Sequence, residues 1–139
     1  MARHVVAPAS ELPPGGRLVV EAAGKRIVIF NLDGALFGLL NRCPHQGGPL
    51  AEGITTGLIE ADPTRPGEVS YTRKGEILRC PWHGWEFDIR TGESRCEPDR
   101  IRTRCYAADR MTGAEIAEAR LVAETVPVRV EEAYIVVDA

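Results

Sequence analysis

Residues 17–40 read RLVVEAAGKRIVIFNLDGALFGLL. Three short apolar runs, Leu18 to Val20, Ile27 to Phe30 and Ala35 to Leu40, are separated by turn signals at Gly24 and at Asp33-Gly34, which is the pattern of an antiparallel β-meander. Working outward, EVSYTRKGEILRC at 68–80 carries Lys74-Gly75 between two extended runs and predicts a second hairpin. TVPVRVEEAYIVVDA at 125–139 predicts a third pair of strands around Glu131 to Ala133. Ile101, Thr103 and Cys105 alternate with Arg100, Arg102 and Arg104, the period of a strand with one charged face, either solvated or docked on an acidic partner. One stretch reads as a helix: Thr112 caps it, Glu115 completes a Thr-x-x-Glu capping box, and Ile116, Ala119 and Arg120 follow at helical spacing. Many short strands and one short helix predict an all-β fold, an antiparallel barrel or sandwich with inserted loops.

The chain has 139 residues, 44% hydrophobic and 27% charged, the profile of one globular domain spanning 1–139 rather than of a disordered, collagenous or coiled-coil chain. A formal charge of −3 supplies no footprint for general nucleic-acid binding. The start of the chain shows no apolar core of a secretory signal, and the run from Ile27 to Leu40 is broken by Asn31 and Asp33, so neither export nor a membrane span is expected. The cytoplasm is the expected compartment. Four cysteines, Cys43, Cys80, Cys96 and Cys105, then read as reduced thiols, metal ligands or catalytic groups before they read as a disulfide framework.

Two of them stand in similar surroundings: Cys43-Pro44-His45-Gln46-Gly47-Gly48 and Cys80-Pro81-Trp82-His83-Gly84-Trp85. Each segment places a thiolate and an imidazole on one tight loop, and its glycines permit backbone amides to approach a negatively charged centre. Two cysteines and two histidines suit either one tetrahedral zinc or a [2Fe–2S] cluster in which two histidines replace two cysteines on one iron. Zinc loops commonly pair like ligands within one loop, whereas each loop here is mixed, as the cluster arrangement requires.

These residues resemble the signature of the Rieske iron–sulfur family, Cys-x-His on a first loop and Cys-x-x-His on a second. The run from Cys80 through Trp85-Glu86-Phe87-Asp88, with Thr91-Gly92 behind it, is similar to the Rieske ferredoxins and to the Rieske domains of bacterial ring-hydroxylating oxygenases. The resemblance implies a Rieske-like β fold with a small cluster-binding subdomain at roughly 41–92. It also implies a [2Fe–2S] cluster whose inner iron is held by Cys43 and Cys80 and whose outer, solvent-facing iron is held by His45 and His83. The chain departs from the family pattern in two places. From Gln46 to Arg79 there are 34 residues, roughly twice the family spacing, with the excess expected at 59–75 as a hairpin and the Pro/Gly-rich loop at 62–67. The segment 107–123 is also longer than in a minimal ferredoxin, and reads as a partner surface or an oligomer contact.

Respiratory Rieske proteins carry two further cysteines and a serine near the cluster, and the matching positions here are Gly48, Trp82 and Trp85. Fewer hydrogen bonds to cluster sulfur favour a low potential, at the bottom of the roughly −150 to +300 mV Rieske range. The resemblance therefore implies a one-electron carrier between a reductase and an oxygenase or related redox enzyme. A small non-catalytic subunit of a larger enzyme, similar to the small subunit of assimilatory nitrite reductase, is the alternative, and a zinc-binding structural module is a third. Only His4 is left once His45 and His83 are used, so a mononuclear-iron oxygenase site has no ligands to draw on and the chain reads as a non-enzyme. Cys96 and Cys105, lacking the His and Gly context, read as buried thiols. Trp82, Trp85 and Phe87 read equally well as shields around the outer iron or as plain core.

Overall fold

Strands β2 (Arg17–Ala22), β3 (Lys25–Leu32) and β4 (Ala35–Leu40) form the expected meander. The computed structural model describes residues 2–121, 123 and 126–139. Both meander turns have two residues with positive φ, Ala23 at 51° with Gly24 at 73° and Asp33 at 55° with Gly34 at 99°. That geometry matches the twist of the flanking strands and explains why glycine ends each pair. Asn31, the polar break in the apolar run, is 1% exposed. Its amide donates to the Leu12 carbonyl at 2.9 Å and its carbonyl accepts from the Gly34 N–H at 2.8 Å, so it fixes the turn with hydrogen bonds that offset the cost of burial.

With β1 (Arg3–Pro8), β8 (Cys105–Thr112) and β9 (Ala133–Asp138), these strands make a six-stranded antiparallel sheet in the order β1-β9-β8-β4-β3-β2. Met1–Asn41 and Arg104–Ala139 form this compact unit. Alternation along β9 feeds two cores. Ile135 and Val137 pack with Leu12, Val20, Ile27, Ile29 and Tyr106, while Tyr134 and Val136 pack with Val5, Val126 and Ile116. Ile116 comes from α1 (Gly113–Ala119), whose capping box is complete: the Thr112 hydroxyl accepts from the Glu115 N–H and the Glu115 carboxylate accepts from the Thr112 N–H. The predicted helix thus covers the second face of β9.

The end of the chain differs from its reading. Among the described residues only β9 forms there, and Pro127 has no N–H to give a ladder. The Tyr134 hydroxyl instead accepts from the Arg129 N–H at 2.7 Å and donates to the Pro127 carbonyl at 3.2 Å. Thr125, in that expected pair, and Val122, in the 107–123 segment, lie outside the described residues, as does Met1. The alternating arginine row is likewise no continuous strand. Arg102 makes an isolated bridge with Glu93, Thr103 is buried, and β8 begins only at Cys105.

Arg42–Thr103 forms the second compact unit, built on an antiparallel sheet in the order β5-β6-β7 from β5 (Ile54–Ala61), β6 (Val69–Arg79) and β7 (Glu86–Asp88). The hairpin expected within 59–75 forms between β5 and β6 and turns at the 62–68 loop, where the Asp62 carboxylate accepts from the Thr64 N–H and hydroxyl at 2.8 and 2.7 Å. Lys74-Gly75 is not a hairpin turn, contrary to the sequence reading. It sits in a bulge inside β6, where Thr56 pairs with Ile77 and Leu58 with Thr72, so β6 spends five steps against two on β5. Positive φ at Arg73 and Gly75 takes up the excess. The bulge is pinned by partly exposed ion pairs of Arg73, which reaches Glu76 at 2.9 Å and Asp88 at 2.8 Å, and of Arg90, which reaches Glu76 at 2.8 Å.

Candidate metal centre

Both cysteine loops lie in the 42–103 unit and share one hydrogen-bonding plan. In the first, the Cys43 N–H donates to the Gly48 carbonyl at 2.8 Å and the Gly47 N–H returns to the Cys43 carbonyl at 2.8 Å. In the second, the Cys80 N–H donates to the Trp85 carbonyl at 2.7 Å and the Gly84 N–H returns to the Cys80 carbonyl at 3.1 Å. Gly47 and Gly84 occupy the same place in their loops and both have positive φ, 83° and 73°. A side chain with a Cβ is strained there, which is the physical reason for the repeated glycine. β6 delivers Cys80 and β7 receives the chain after Trp85, with Arg79 and Glu86 paired across the neck of the loop.

The loops sort their side chains by chemistry. Cys43 and Cys80 are 2% and 3% exposed, whereas His45 and His83 are exposed. The two imidazoles meet edge-on, with ring centroids 5.1 Å apart and planes at 88°. The two thiols interact with each other. Burial pushes the Cys43 thiol up, backbone N–H groups of His45 and Gln46 directed at the sulfur pull it down, and the Cys80 thiol raises it further. Those N–H donors suit a thiolate bound to metal. Gly48 leaves the room this needs, since a Cβ there would stand 3.0 Å from Cys80 Sγ and 3.0 Å from the Trp82 ring. The four residues singled out in the sequence thus form two pairs, the buried thiols of Cys43 and Cys80 and the exposed imidazoles of His45 and His83, and among the described residues no group of three or more such side chains is placed to hold one metal ion. This donor set fits a [2Fe–2S] group with one iron on each pair, and it divides what a single tetrahedral zinc would need at one point.

The three aromatic residues divide. Phe87 is fully buried core, Trp82 is 56% exposed, and Trp85 stacks on His45 with ring centroids 4.6 Å apart and an interplanar angle of 18°. Cys96 and Cys105 are exposed, which corrects their reading as buried thiols, and no disulfide involves any of the four cysteines. Strand alternation in β8 turns Tyr106 inward and Cys105 outward. Cys96 lies on the outside of a turn closed by the buried Ser94 hydroxyl, which accepts from the Glu97 N–H at 3.2 Å. His4 remains apart, on β1.

A six-stranded antiparallel sheet and two mirrored Cys/His loops on a smaller sheet define an iron–sulfur domain of the Rieske class. The Rieske [2Fe-2S] domain pattern matches residues 2–107, and the chain belongs to that family, whose domain binds a [2Fe–2S] cluster. It is 30% identical over 95 residues to the biphenyl dioxygenase ferredoxin subunit of Pseudomonas sp. strain KKS102, covering 66% of this chain and 72% of that one. Among solved structures, it resembles the ferredoxin of carbazole 1,9a-dioxygenase from Nocardioides aromaticivorans IC177, with a TM-score of 0.59 and 20% identity over 78% of this chain and 89% of that one. The terminal oxygenase of the same system gives a TM-score of 0.60 and 16% identity, over 98% of this chain and 29% of that one. Among the described residues, no helix is long and apolar enough to cross a membrane.

Proposed function

We propose that the chain is a one-electron carrier in which Cys43 and Cys80 hold the inner iron, and His45 and His83 the outer iron, of a [2Fe–2S] cluster. The observation that carries this reading is the split of one donor set into a buried thiol pair and an exposed imidazole pair. When bound, the cluster supplies a one-electron couple. The chain's own residues do the rest: the cysteines withdraw the sulfur side from water, the backbone N–H groups of His45 and Gln46 offset thiolate charge, and the two imidazoles form the face a partner meets. The donor is a reductase and the acceptor an oxygenase component, in keeping with the likeness to a dioxygenase ferredoxin subunit. The cytoplasm, where thiols stay reduced, is its compartment. A redox titration of the iron-loaded protein tests this. A single one-electron wave at the low end of the roughly −150 to +300 mV Rieske range is expected, and a protein with no redox wave overturns the reading.

A second reading keeps the same ligands but makes the chain a resident relay in a larger redox enzyme, in place of a diffusing carrier. The likeness to the terminal oxygenase, which spans nearly this whole chain, favours it. A stoichiometric complex that survives purification from the native cell would select this reading, and a protein purified alone in its redox-active form would select the carrier.

A further inference from the structure

The ring that lies flat on His45 belongs to the opposite loop. Trp85 stacks on His45 at 4.6 Å and 18°, whereas His83 meets the same imidazole only by its edge. The Trp85 backbone is the more constrained of the two. Its carbonyl accepts the Cys80 N–H at 2.7 Å, the positive φ of Gly84 aims it, and the next residue, Glu86, is already in register with Arg79 in the β6–β7 ladder. Trp85 is half-buried and His45 is exposed, so the indole is the fixed wall and the imidazole the ring that conforms to it. Among the described residues, His83 has no stacked ring of its own.

We propose that Trp85 is a positioning residue that fixes the plane of His45 and holds the potential of the site down. This rests on the ligand assignment proposed above. An imidazole held by one nitrogen is free to turn about that bond, and a stacked indole removes the freedom for one histidine of the two. The indole face is the negative side of a quadrupole, so it favours positive charge on the adjoining imidazole and with it the oxidised state. It also keeps water from that face, and water stabilises the more negative, reduced state. Both effects act in one direction: loss of the indole raises the potential.

Two variants separate the π face from simple packing, Trp85→Phe, which keeps an aromatic face, and Trp85→Leu, which keeps apolar bulk without one. The iron-loaded wild type and both variants, matched for iron and sulfide, are compared by redox titration and by the nitrogen hyperfine couplings of the reduced state. We expect Trp85→Phe to stay near wild type, and Trp85→Leu to shift upward in potential and to change the couplings of one histidine while the other set holds. Equal potentials and equal couplings in the two variants overturn the proposal. A wild type with no imidazole couplings at all overturns the ligand assignment itself, which is a different result from agreement between the variants.

Discussion

Gly48 shows how much of the centre depends on one absent methyl group. The Cys80 sulfur and the Trp82 ring both lie 3.0 Å from where a Cβ would stand, so a methyl group there fits only if the sulfur and the indole give way. Gly48→Ala is therefore expected to lower the iron and sulfide retained per chain, with the 42–103 sheet preserved by circular dichroism. Wild-type iron and sulfide content in that variant would show that the loop yields and that the spacing is not critical. At this scale the four proposed ligands were legible, because Cys-x-His and Cys-x-x-His record a chemical requirement in contiguous letters. The stack of Trp85 on His45 was not. It arises from two loops far apart in sequence and from the backbone reversal at Gly84, neither of which a local pattern contains.

Secondary-structure elements carry their own tests. The capping box at Thr112 was readable because it is a four-residue pattern satisfied by its own side chains, and Thr112→Ala is expected to destabilise by about 1 kcal/mol in urea unfolding. An unchanged unfolding midpoint would mean that packing of Ile116 alone holds the helix. Lys74-Gly75 misled for an instructive reason. Positive φ serves a bulge as well as a turn, and only the pairing of β5 with β6 decides which. That bulge depends on Glu76, whose carboxyl is held below its ordinary value of 4.5 first by Arg90 and then by Arg73. A depressed carboxyl stabilises fully above its unfolded value and loses this contribution as pH falls through the folded one. Stability should therefore drop in acid below about pH 4.5, and Glu76→Gln should be less stable at neutral pH with a shallower acid dependence. Parallel pH profiles for the two proteins would remove the network from the account.

Across the whole molecule, the six-stranded sheet and the smaller cluster-loop sheet follow from apolar alternation and turn glycines, and both were foreshadowed as an all-β fold. What periodicity did not show is which strands neighbour one another: β9, last in the chain, lies between β1 and β8. Nor did it show that Pro127 and the Tyr134 hydroxyl replace an expected strand near the end of the chain. In the proposed centre, two buried thiols and two exposed imidazoles share one redox cluster. The most direct measurement is electron paramagnetic resonance with nitrogen hyperfine spectroscopy on the dithionite-reduced protein, with iron, sulfide and zinc assayed on the same sample. We predict about two irons and two sulfides per chain and couplings from two imidazole nitrogens, reduced to one in His83→Cys. A colourless protein holding zinc, or a spectrum unchanged in His83→Cys, would contradict the account.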